Sequence, residues 1–113
     1  MAKLKRRKRI LKRAKGFWGV RNRCLRIARE AVHKAEEYAA RDRRTKKRDF
    51  RRLWITRLSA ACRERGTSYS RFIKMLKDAG VEMNRKQLSE LAIHDPGGFD
   101  ELFKSVAPAA ATA

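Results

Sequence analysis

The chain has 113 residues, the length of one ordinary domain, with 31 Lys and Arg against 12 Asp and Glu and a formal net charge of +19. That excess opposes compaction in free solution and favours a polyanionic partner. No apolar run approaches the ~18 residues that a membrane span requires, and the basic N-terminus lacks the apolar core of a secretory signal.

The charge is unevenly placed. Residues 1–65 hold 25 of the 31 basic residues and 6 of the 12 acidic ones, so they carry the whole net charge and the remainder is neutral. The pattern predicts a basic arm joined to a small packed module. Residues 1–15 contain nine basic residues, no acidic residue and no Ser, and read as mature protein rather than as a transit peptide. Their cations Lys3, Lys5, Arg6, Arg7, Lys8, Arg9, Lys12, Arg13 and Lys15 repel one another. Leu4, Ile10, Leu11 and Ala14 are too scattered to form a core, so order is expected only against a partner. Gly16 and Gly19 then bracket Phe17 and Trp18, two aromatics equally able to pack on protein or stack on RNA.

From Val20 to Arg65 there is no Gly or Pro, and a helix is expected. Val20, Cys24, Ile27, Ala28, Ala31, Val32, Ala35, Tyr38 and Ala39 mark one face at three- and four-residue steps. Glu30–Lys34, Glu37–Arg41 and Asp42–Lys46 have the favoured acid-before-base spacing. A second stripe, Phe50, Leu53, Trp54, Leu58, Ala61 and Cys62, is expected to complete the core of the neutral module, with Trp54 inside, and Gly66 supplies the stop. Between the stripes, residues 41–49 contain no apolar side chain. A helix polar all round is not held by a protein core, so something else must contact it. At ~1.5 Å per residue a helix over 20–65 would be about 70 Å long, far beyond the ~13 Å radius of gyration of a domain this size. The charge distribution favours projection over folding back.

The neutral part reads as short capped helices. Ser68 opens one with Tyr69, Phe72, Ile73, Leu76 and Ala79 on one face, ending at Gly80. Asn84 and Gln87 have capping-box spacing, Met83 and Leu88 stand at staple positions, and Leu88, Leu91 and Ala92 form the buried face. Asp95-Pro96 opens a last helix carrying Phe99, Leu102, Phe103 and Val106. The expected organisation is a partner-ordered arm over 1–19, a long basic helix over 20–49, a helical domain over 50–106 and a loose tail over 107–113.

Catalytic chemistry finds no foothold. His33 and His94 lack companions at metal-ligand spacing, the serines lack a nucleophile-elbow signature, and Gly97-Gly98 lacks the rest of a phosphate-binding loop. Cys24 and Cys62 read as two small, buried or half-buried thiols of a reducing compartment. No cofactor is expected. The basic run is different, because its charge is one-signed, covers every side of a helix and is interleaved with aromatics. Arg41, Arg43, Arg44, Lys46, Lys47, Arg48, Arg51 and Arg52 are the central RNA-binding candidates, with Arg21, Arg23 and Arg57 flanking them. Arginine's planar fork suits phosphate contact and stacking on bases. An architectural DNA-binding protein shares this charge and is the main alternative. A cationic membrane-surface helix needs a bulky apolar face that residues 41–49 lack.

The string Tyr38-Ala39-Ala40-Arg41-Asp42-Arg43-Arg44-Thr45-Lys46-Lys47-Arg48-Asp49-Phe50-Arg51-Arg52-Leu53-Trp54-Ile55 closely resembles the signature of a bacterial family, large-subunit ribosomal protein twenty. The resemblance continues through Arg57, Ala60-Ala61, Gly66, residues 68–73, Arg85-Lys86 and Leu91-Ala92. Upstream, residues 11–19 look like the family's lysine-rich segment ending in Gly-aromatic-X-Gly. The resemblance covers roughly residues 8–103 and implies an all-α protein, an extended basic arm and long helix leading into a small C-terminal helical domain. It further implies a non-enzymatic constituent of the large ribosomal subunit in the cytoplasm. The implied partners are 23S-type rRNA and neighbouring ribosomal proteins, with a role in early subunit assembly. Set beside the family's pattern the arm looks several residues shorter than usual, and the repression of their own messenger seen in some members is not carried over.

Overall fold

The computed structural model describes residues 2–107. Its elements are α1 (Ala2–Arg13), a 3₁₀ turn (Gly19–Asn22), α2 (Leu25–Glu64), α3 (Tyr69–Asp78), α4 (Arg85–His94) and α5 (Pro96–Val106), with no strand among the described residues. The all-α architecture is the expected one. None of these helices is long and apolar enough to cross a membrane. The chain divides into two compact units, residues 1–46 and 47–113, and α2 supplies part of each.

In the first unit the expected single helix over 20–65 begins later, at Leu25, and ends at Glu64. The 3₁₀ turn lets the end of α1 come back onto α2. Ala14, Ala28 and Val32 are buried there, with Ile10, Leu11 and Phe17 packed against them. This corrects the expectation that the arm's apolar residues find no core: the first turns of α2 provide a small one. Burial of two alanines and a valine stabilises little, because the gain scales with apolar area, about 25 cal/mol per Å². Arg13 adds an ion pair to Glu36 at 2.7 Å, between exposed side chains and therefore weak. Residues 2–9 of α1 remain exposed.

The second unit has the real core. Leu58, Ala61 and Cys62 from α2 pack with Phe72, Leu76, Leu88, Phe99 and Val106, ringed by half-buried side chains including Tyr69, Ile73, Met83 and Leu102. Phe72 meets Phe99 at 5.4 Å and stacks on Phe103 at 5.6 Å between centroids, pairs that add to their area burial. The caps fall where expected. Ser68 Oγ accepts from Arg71 N, Asn84 and Gln87 form a reciprocal capping box, and Asp95 Oδ1 accepts from Gly98 N with Pro96 beginning α5. Gly66 and Gly80 adopt φ of 71° and 70°. These left-handed residues let Thr67 N reach Cys62 O and Val81 N reach Leu76 O, both at 3.0 Å, closing α2 and α3. The tail expected over 107–113 lies outside the described residues from Pro108 onward.

Two expectations about the stripes need correction. Phe50 and Leu53 are 44% and 40% exposed, and Trp54 is only half-buried and lies outside the core. The core takes from this stripe only its last turns, because α3, α4 and α5 cover α2 from Leu58 onward. In the upstream stripe only Ala28 and Val32 are buried, while Val20, Ile27 and Tyr38 are exposed. Cys24 is likewise exposed, whereas Cys62 is buried.

Candidate nucleic-acid interface

Every residue from His33 to Leu53 is exposed, so this stretch of α2 has no protein core on any side. Asp42 and Asp49 are the acidic residues of the stretch 41–52, against Arg41, Arg43, Arg44, Lys46, Lys47, Arg48, Arg51 and Arg52. Arg41 donates from Nε to Asp42 Oδ1 at 2.8 Å and lies over the Tyr38 ring at 4.6 Å. That hydrogen bond holds the Asp42 carboxyl below its usual range and raises the Arg41 guanidinium. Lys34 Nζ also lies over the Tyr38 ring, at 5.0 Å from its centroid. The i,i+4 pairing therefore differs from expectation, with Glu37 taking His33 at 3.2 Å and Lys34 at 3.6 Å while Arg41 turns to its neighbour. His94 likewise meets Glu90, at 3.0 Å.

The remaining candidates fall into separate places. Lys3, Arg6 and Arg7 line a groove with Ile10, Leu25, Arg26 and Arg29. Lys5, Lys8, Arg9, Lys12, Lys15 and Arg23 are exposed, and Arg13 is engaged with Glu36. Arg21 lines a second depression with Phe17, Trp18, Ile27 and Tyr38. Here the two aromatics part: Phe17 packs on the small core, and Trp18 is 89% exposed. In the second unit Lys47, Arg48, Arg51 and Trp54 of α2 line a groove with Asn84, Arg85 and Lys86 at the start of α4. Arg57 is half-buried and 3.9 Å from Glu90.

Five cations of these depressions, Arg26, Arg29, Lys34, Arg85 and Lys86, escaped the candidate set. Arg26 and Arg29 were within reach of the sequence, since three-residue spacing puts them on one helical face. Arg85 and Lys86 sit in the neutral part of the chain and reach the basic stretch only through tertiary folding. Arg85 is held there by its Nε donating to Tyr69 Oη at 2.8 Å. Among the described residues no group of three or more His, Cys, Asp or Glu side chains could hold a metal ion.

The family model described as ribosomal protein L20 matches residues 1–102. The chain is 59% identical over 98 residues to a large ribosomal subunit protein bL20 of Thermoanaerobacter sp. (strain X514), covering 87% of this chain and 82% of the relative. Proteins of the same description from Chlorobium limicola and Methylorubrum extorquens are each 55% identical. They span 89% and 92% of this chain and 88% of each relative.

Proposed function

The chain belongs to the ribosomal protein L20 family, and we infer from that membership that it is a structural constituent of the large ribosomal subunit and not an enzyme. Its partners are large-subunit rRNA and neighbouring ribosomal proteins, and its place is the ribosome in the cytoplasm. One observation carries the physical side of this reading: exposed positive charge surrounds α2 where no protein packs on it. Such a surface is unfavourable alone and favourable among phosphates, whose condensed counterions it releases.

The working division is an arm over 1–19 that RNA fixes in place, a basic segment over 20–49, helical from Leu25, embedded in rRNA, and a helical domain over 50–106 that gives a folded grip. By neutralising phosphates where RNA helices converge, Lys3 to Lys15, Arg21, Arg23 and the cations of 41–57 allow those helices to approach, which supports early subunit assembly. Binding of the full chain to a large-subunit rRNA fragment, measured against duplex DNA of equal length across a salt series, tests this. Preference for the rRNA fragment that persists as salt rises is expected. Equal affinity for the DNA throughout would contradict it.

A further inference from the structure

We propose that the groove between α2 and the start of α4 receives one unpaired RNA base on the face of Trp54, with flanking phosphates held by the cations of its rim. The inference rests on the RNA-binding reading and adds what part of the RNA this surface takes.

Four observations support it. Trp54 stands at a spacing that normally buries an indole, yet it lies outside the core and lines an open groove. Phe50 braces it, tilted by 44° at 6.1 Å between centroids, on the same helix. Lys47, Arg51 and Trp54 share one helical face, at steps of four and three, so cations stand directly along the indole's row. The lining residues include no carboxylate, and Arg48, Arg51 and Arg85 have no acidic partner among the described residues.

The chemistry of that lining selects an occupant. An indole offers a stacking platform to any base, and surrounding guanidinium and ammonium groups suit the phosphates on either side of it. A paired base is already stacked within its duplex, so only a nucleotide displaced from a helix can reach Trp54. Arg85 donates from Nε to Tyr69, which fixes the guanidinium and leaves its terminal N–H groups as donors. Asn84 accepts from Gln87 N through Oδ1, and its side-chain NH₂ remains to donate to a base edge.

The test uses the full chain carrying Trp18→Phe, so that indole emission reports on Trp54 alone. The probes are a perfectly paired RNA hairpin and the same hairpin with one unpaired adenosine. Quenching of the indole by the second hairpin and not by the first is expected. Without Trp18→Phe, Trp54→Leu should lower affinity for the unpaired-base hairpin by roughly 5- to 150-fold, the loss of one base–aromatic stack, while Trp54→Phe retains most of it. Equal quenching by both hairpins would overturn the base pocket and leave RNA binding standing. Failure to bind either hairpin or a large-subunit rRNA fragment would overturn the reading beneath it. The quenching comparison needs no change at Trp54, so a folding defect in Trp54→Leu cannot obscure it.

Discussion

Arg65 lies over the Phe99 ring at 4.8 Å, donates to Ala61 O at 2.8 Å and pairs with Asp100, and its side chain is only 18% exposed. Arg44, by contrast, is exposed on α2. The two arginines are alike in composition and opposite in purpose. Arg65→Met should destabilise the fold by about 1–3 kcal/mol, moderated because Asp100 is half-exposed, and urea unfolding measures it. Arg44→Ala should leave stability within about 0.5 kcal/mol and reduce the steepness of the salt dependence of RNA binding by about one. Cysteine chemistry separates the same way. A thiol reagent should modify Cys24 in the native protein and Cys62 only on unfolding. Burial raises the Cys62 thiol above its ordinary 9.0, partly opposed by Arg65. The folded state then keeps a proton that the unfolded chain releases, so this contribution to stability is full below 9.0 and falls as pH rises above it. Urea midpoints between about pH 8 and about pH 10 should decline, and Cys62→Ala should flatten that decline.

The caps of α3, α4 and α5 were legible because their signals are local, whereas α1 and the start of α2 at Leu25 were not. Ser68, Asn84 with Gln87, and Asp95-Pro96 each act through the backbone within one turn of themselves. Gly66 is similar, and Gly66→Ala at φ 71° should cost about 1–2 kcal/mol, read as a lower thermal midpoint. The extent of the core was not legible in the same way. Periodicity tells which face of α2 is apolar, but where burial begins depends on where α3, α4 and α5 reach it. Phe50, Leu53 and Trp54 share the face of Leu58 and Cys62 and yet lie before that point. The arm shows the reverse error, since Ile10 and Leu11 find partners on α2 that no local window reveals. Those contacts hold only the last turns of α1. Residues 2–9 are helical but exposed on every side, so they should fray in the free chain, and their amide hydrogen exchange should slow when rRNA is added. Exchange already slow there in the free chain, and unchanged by rRNA, would remove the case for stabilisation on binding.

At the scale of the molecule, charge and fold divide the work unequally. The neutral residues 66–113 build most of the core, with Leu58, Ala61 and Cys62 supplied from the basic part. The candidate surface was legible where charge runs along the chain, from Lys3 to Lys15 and from Arg41 to Arg52. It was illegible where Arg85 and Lys86 join it through tertiary structure. If about 10 phosphates are neutralised, the logarithm of the binding constant should fall with the logarithm of salt at a slope of very roughly −9. So steep a dependence means that charge alone cannot retain the protein in concentrated salt, and the folded grip of the second unit must then contribute. Co-sedimentation with large ribosomal subunits through a high-salt wash measures that directly. The chain should remain with the subunits after the wash, and its quantitative release into the supernatant would contradict an integral structural role.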